Sequence, residues 1–291
     1  TLIRNFSHTF RRFFTASILN ILGLSIAFAS FFVIMTQVDY DYNFNKGYKD
    51  YEKIFRVEVK PTPASDWQLW MPRPLCERIQ TCSPHIKSIS ITNAFMSQVD
   101  YEISGNIFNE TTCCGFRNFL ETFQPEMISG SADVLNQPKT VLISESTAKR
   151  LFGTADAVGQ SIFKDKQSSN NEWTIGGVYK DFPENAQIRN WIMMPNDPKE
   201  NKDRWNNWNY ICYIRLDHPD SAPEIEKLIE VIFKKHNPEY TSEENDSLLS
   251  SVVHLSPLTD VHFSTIANKS ASSRTTVYLL ICILSLIHIS E

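Results

Sequence analysis

The sequence contains no G-x-x-x-x-G-K-[ST] phosphate loop, no G-x-G-x-x-G dinucleotide turn and no G-x-S-x-G nucleophile elbow. It therefore carries none of the common signatures of a nucleotide site or an acyl-transfer serine. C-x-x-C pairs are also missing. The 6 cysteines stand at positions 76, 82, 113, 114, 212 and 282, spacings that suit neither a zinc cluster nor a redox dithiol. An odd five of them between residues 39 and 274 fits free packing thiols and leaves room for one bridge. No basic run is present either. From residue 39 to residue 274, 25 Lys/Arg face 32 Asp/Glu, a net charge of −7 that argues against nucleic acid as a partner.

One absence is local. From Phe13 to Val38 there are 26 consecutive residues without a charge, dense in Ile, Leu, Phe and Ala. About 20 such residues cross a hydrocarbon core of ~30 Å as a helix, so residues 15–38 are expected to span a membrane. A cleaved signal peptide would have a shorter apolar core and a small-residue cleavage site, and no A-x-A-like pattern follows Val38. Arg4, Arg11 and Arg12 precede the segment and Asp39 and Asp41 follow it, which places the N-terminal side in the cytoplasm. Residues 1–14 gather Leu2, Ile3, Phe6, Phe10, Phe13 and Phe14 near one helical face, the pattern of an interfacial helix, although a plain basic flank fits equally well.

A second uncharged stretch, Thr275 to Ser290, is barely long enough to span. The chain starts at Thr1 and stops just after this stretch, so it reads as a fragment in which residues 275–291 begin a truncated second membrane helix. Residues 39–274 are then expected to form an extracytoplasmic domain, large enough to hold two subdomains.

Within that domain, strands and helices interleave, which predicts an α+β fold. "IFRVEVK" alternates Phe55, Val57 and Val59 with Arg56, Glu58 and Lys60, as a half-buried strand would. A Pro-rich connector leads to a helix around Leu75–Ile79, and strands are expected in "SISITNAF" and "VDYEISGNIF". "TVLISESTAKRLFG" predicts a strand from Thr140 to Ile143 and then a helix capped by Ser144 and ended by Gly153. "AVGQSIF", "WTIGGVY" and "YICYIRL" predict further strands. "SAPEIEKLIEVIFKKHNP" predicts a helix with Ser221 and Glu224 at capping-box spacing and an apolar stripe of Ile225, Leu228, Ile229, Ile232 and Phe233. A last strand is expected near Val252–Leu255.

Chemistry-bearing groups are sparse. His254 and His262 lack ligand spacing and suit core or surface roles better than zinc. Asp181 and Glu184 around Pro183 are better explained by a solvated turn than by a carboxylate pair. Trp205 and Trp208 suit a strand-flanking core, with stacking on a ligand such as a sugar as the lesser alternative. No residue is assigned a catalytic, cofactor-binding or metal role.

Four segments in order resemble one family. "NILGLSIAFASFFVIMTQVDYDYNFNKGYKDYEKIFRVEV", "QPKTVLISESTAKRLFGTADAVGQSIF", "WTIGGVYKDFPENAQI" and "LTDVHF" are similar to the first membrane helix and periplasmic core domain of MacB/FtsX-type ABC transporter permeases, most like those of Bacteroides-type bacteria. Ala186 stands where the family has a serine. The resemblance implies a permease in the bacterial inner membrane with residues 39–274 in the periplasm. It also implies a cytoplasmic ABC ATPase that binds the ATP, no cofactor in this chain, a homo- or heterodimer, and a periplasmic or outer-membrane partner. A periplasmic sensor domain of a two-helix membrane receptor is the alternative that composition alone permits.

Overall fold

The computed structural model describes residues 10–93, 96–115, 118–164, 171–240, 251–266 and 273–289. In chain order these hold α1 (Phe14–Tyr42), β1 (Ile54–Val59), β2 (Trp70–Met71), α2 (Arg73–Gln80), β3 (Ile86–Asn93), β4 (Ser97–Ile103) and β5 (Asn106–Gly115). Then come α3 (Asn118–Phe123), β6 (Met127–Gly130), β7 (Thr140–Ser144), α4 (Glu145–Phe152), β8 (Ser161–Lys164) and β9 (Glu172–Tyr179). The last are β10 (Ile192–Pro195), β11 (Tyr210–Leu216), α5 (Ala222–His236), β12 (Val253–Pro257) and α6 (Arg274–Ile289). They divide into two compact units, one holding α1 and α6 and the other spanning Phe44–Ala271.

In the first unit α1 has 29 residues and a mean hydropathy of 2.3 over its most apolar window. At ~1.5 Å per residue it is about 43 Å long, more than the ~30 Å of a bilayer core. The acidic segment after Val38 is thus still helical, and Gln37 donates to Asp41 (3.0 Å) and Asn43 to Asp39 (2.8 Å) along its last turns. The 16 residues of α6 reach about 24 Å, short of a full crossing. Residues 1–9 of the expected interfacial helix lie outside the described residues.

The second unit mixes helices and strands, as its interleaved pattern predicts. Part of it is an open antiparallel sheet in the order β3-β11-β1-β12, with α2 and α5 in the connections. Taken along the chain, β1-α2-β3-β11-α5-β12 is the ferredoxin-like β-α-β-β-α-β order, with everything from β4 to β10 inserted between β3 and β11. Phe55, Val57 and Val59 face one core with Leu75, Cys76 and Ile79 of α2 and Ile225, Ile229 and Phe233 of α5.

The half-exposed reading of β1 does not hold: all six of its residues are buried. As a central strand between β11 and β12, it has its second face covered too. There Ile54 packs with Tyr213, and Arg56 bonds Glu58 through Nε (2.9 Å) and Ser264 through Nη2 (3.0 Å). The alternation separates two buried faces, one apolar and one holding an ion pair.

The capping box at Ser221 is likewise not made. A short 3-10 turn over Pro219–Ser221 precedes α5, Ser221 is already helical (φ −73°, ψ −13°), and its side chain caps nothing. The apolar stripe is narrower than expected, because Leu228 is exposed.

The insertion closes on itself. β5, β4, β8, β9, β7 and β10 pair in sequence, and β10 pairs back to β5, giving a ring of six strands. Closure removes the free edges of these short strands. Tyr101, Val141, Ile143, Ile162, Ile175, Val178, Ile192 and Met194 form its core together with Ala148 and Leu151 of α4. The expected strand "VDYEISGNIF" is in fact a hairpin. Ser104 (φ 51°) and Gly105 (φ 84°) make its two-residue turn, where a left-handed pair matches the strand twist.

Ring and open sheet meet through a third core that lies on the sheet face opposite α2 and α5. It stacks Tyr48, Phe119, Phe123, Tyr179, Phe182 and Tyr213, with neighbouring ring centroids 5.0 to 5.6 Å apart.

Candidate functional site where the chain connections meet

Three segments far apart in sequence converge at one place in the second unit. Residues 44–48 follow α1, residues 258–264 lead on from β12 toward α6, and residues 181–190 join β9 to β10. Asn45 is their hub. It is fully buried and sits at φ 65°, a left-handed conformation that Asn tolerates better than most residues. Its backbone N–H donates to the Asn185 carbonyl (2.8 Å) and its Nδ2 to the Leu258 carbonyl (2.8 Å). Its Oδ1 accepts from the Gln187 N–H (2.6 Å).

Tyr48 adds a second clip. Its hydroxyl donates to the Ile188 carbonyl (3.0 Å) and accepts from the Ile188 N–H (2.8 Å). Burial raises the Tyr48 pKa well above its ordinary value, and the bond to Ile188 offsets that only in part. Between the two clips, a Cβ on Gly47 would lie 2.4 Å from Cγ of Pro183, so only glycine lets the segments touch. The Phe44 ring stacks on His262 at 3.8 Å and 11°. The Leu258 N–H donates to the Ile54 carbonyl (2.9 Å), which ties the return segment to the start of β1.

The same loop reaches α4. Asp181 Oδ1 accepts from the Ser146 N–H (3.0 Å), while Ser144 Oγ accepts from the Thr147 N–H (3.3 Å). Two of the orphan donors at the start of α4 are thereby satisfied, one by its own cap and one by the loop. Arg150 then forks onto Glu110 of β5 (2.8 and 2.6 Å), and this charge-assisted pair raises the arginine's pKa further.

What the arrangement can do is hold its segments at fixed spacing with buried, fully partnered hydrogen bonds, each costly to leave unmade.

The remaining sequence candidates fall elsewhere. Asp181 serves as a helix cap rather than as one of a pair of acids. His254 faces Glu226 (3.4 Å), remote in role from His262 on Phe44, and no cluster of three or more His, Cys, Asp or Glu among the described residues suits a metal. Trp205 stacks flat on His236 (4.4 Å, 5°) with the Arg78 guanidinium 5.4 Å from its ring centre, and Trp208 meets Phe233 edge-on. Together with Pro72, Leu75, Asn206 and Asn237 they line a cleft of about 300 Å³. All six cysteines are free thiols, and burial pushes Cys113 up to about 12. Nothing local in the sequence points to Asn45 or Tyr48; their one signal is that they lie inside one of the four resembling segments.

Three of those four segments lie inside the match to a known family, and "LTDVHF" lies beyond its end. The sequence profile of the MacB-like periplasmic core domain matches residues 17–232. The chain belongs to that family. The match runs from α1 nearly to the end of α5, and β12 beyond it completes the open sheet of this MacB-like domain. No curated protein matches the chain.

Two solved structures are similar in fold. A domain of a protein assigned as a permease from Porphyromonas gingivalis is 23% identical, with a TM-score of 0.59, and the match covers 80% of this chain and 99% of that one. The periplasmic region of MacB from Actinobacillus actinomycetemcomitans is 12% identical with a TM-score of 0.51, covering 74% and 92%. The chain accordingly holds a MacB-like periplasmic core domain joined to an apolar helix long enough to cross a membrane.

Proposed function

We propose that this chain is part of the permease subunit of an ABC transporter and transmits ATP-driven motion of its membrane helices to the periplasmic domain, for export or mechanical work on a partner. The ATPase is a separate cytoplasmic subunit, ATP binds there, and this chain has no catalytic role. The N-terminus lies in the cytoplasm, the MacB-like domain lies in the periplasm of a bacterial inner membrane, and the permease works as a dimer.

One observation carries this reading beyond family membership. The segment that leaves α1 and the segment that leads to α6 are bonded to each other, Asn45 to Leu258 and Phe44 to His262, before either enters the body of the domain. A domain that receives force through both connections needs them locked together at its base. The positive-to-acidic charge change across α1 supports the orientation.

The test is to replace residues 44–271 by a short linker in the full-length permease expressed with its ATPase. ATPase assembly is expected to survive while export, read as loss of the strain's transport phenotype, is abolished. Intact export with an assembled ATPase would overturn the proposal.

A further inference from the structure

Resting on that reading, we infer that the loop Phe182–Asn190 is the link through which a displacement of residues 44–48 reaches the ring of strands, so that the ring turns against the open sheet when the membrane helices move.

Residues 44–48 stand at a fork. Along the backbone they lead into β1 and the open sheet. Sideways, through Asn45 to Asn185 and Gln187, Tyr48 to Ile188, and Gly47 against Pro183, they grip the loop that feeds β9 and β10. The loop is braced to carry load. The Phe182 N–H donates to Asn190 Oδ1 (2.8 Å), and the Tyr179 hydroxyl donates to the Trp191 carbonyl (2.8 Å), closing it across its own neck. Both ends run straight into strands that pair with or flank β7, and Asp181 holds the start of α4, so three ring elements share the load.

The boundary between the halves is built to yield. Among the described residues, the backbone ladder between them is a single pair, Thr92 with Gly115. Side chains make the other described contacts: the aromatic core of Tyr48, Phe119, Phe123, Tyr179, Phe182 and Tyr213, the Arg73 guanidinium donating to the carbonyls of Asp197 and Pro198, and Thr122 on Ser88. Packed side chains allow small sliding motions, whereas a hydrogen-bonded strand ladder does not. A rigid link to the ring beside a sliding interface is the arrangement of a lever.

The experiment uses the full-length permease with its ATPase in lipid nanodiscs. Spin labels go on unnatural amino acids at Ile107 of the ring and Val231 of α5, both exposed (73% and 66%), which spares the native cysteines. Their separation is measured without nucleotide and with ATP trapped by vanadate. The unsubstituted protein is expected to show a nucleotide-dependent shift. Tyr48→Phe, which keeps the ring but removes both bonds to Ile188, should shrink it to less than half while ATP hydrolysis continues, and adding Asn45→Gly should nearly remove it. Tryptophan fluorescence confirms that each variant is folded, and Tyr48→Phe alone serves if the double variant is not. No shift in the unsubstituted protein would overturn the transmission reading itself. A shift that survives undiminished in the folded variants would overturn the link alone.

Discussion

The open sheet and the ring are folded from the same chain by different means. The sheet is drawn from both ends of the second unit, with β1 and β12 as neighbours although about 200 residues separate them. The ring is one contiguous insertion, closed on itself, with a core of aliphatic side chains and Tyr101. The sheet places a buried ion pair on its central strand, whereas the Arg150–Glu110 pair of the ring keeps its arginine exposed. An element built from the two chain connections is suited to being held, and a self-contained insertion is suited to being carried. That contrast makes the junction at Asn45, which touches both, the part most worth breaking.

The largest effect should come from breaking the sheet. Glu58→Ala leaves Arg56 buried without its carboxylate, and loss of one partner of a buried pair costs about 3–5 kcal/mol. All 6 tryptophans lie in the second unit, at 67, 70, 173, 191, 205 and 208, so urea unfolding of the chain in micelles can be followed by their fluorescence. Arg56→Met with Glu58→Leu should recover most of the loss, because two apolar residues of similar size replace the pair.

Asn45→Ala should cost about 2–4 kcal/mol by the same measurement, since it strands the buried Leu258 carbonyl and Gln187 N–H. It should loosen both halves together, where Glu58→Ala loosens the sheet first. Gly176→Ala sharpens the contrast from the ring side. Its Cβ would lie 2.6 Å from the Val134 side chain, an overpacking worth about 1–3 kcal/mol in the core where ring and sheet meet. Smaller still, Ser144→Ala should cost about 1 kcal/mol, while Ser221→Ala, whose side chain caps nothing, should leave the midpoint unchanged.

At neutral pH the last effect is absent. Burial holds Tyr48 and Tyr179 above the usual tyrosine range and Tyr101 up to about 12. Below pH ~10 these phenols are neutral folded or unfolded. Above it the unfolded chain releases protons that the folded chain keeps, so stability falls as pH rises. Tyrosinate absorbance from these residues should appear together with unfolding, not before it.

Legibility in the sequence followed the range of the interactions. The block from Thr140 to Gly153 was readable because its strand, its Ser144 cap and its Gly153 stop (φ 74°) are local. β10 was not expected: "IMMP" is four residues without alternation, and only its place between β5 and β7 makes it a strand. The polar face of β1 looked solvated because nothing nearby in sequence announces the cover that buries it. Ser221 had the spacing of a cap, but the preceding 3-10 turn had already committed its backbone. The junction itself spans 213 residues from Asn45 to Leu258 and 140 from Tyr48 to Ile188. Resemblance marked its pieces, and only the fold showed that they touch.

The most direct test of that junction is amide hydrogen exchange on the full-length protein, comparing the unsubstituted chain with Asn45→Gly. The amides of Gln187 and Ile188 should be protected in the first. They should exchange faster by a factor of ten or more in the second, the scale of about 1.5–2 kcal/mol for a lost buried bond, while β4 and β5 stay protected. Gln187 and Ile188 amides that exchange freely in the unsubstituted chain would mean that the three segments are not locked together, and would contradict the account.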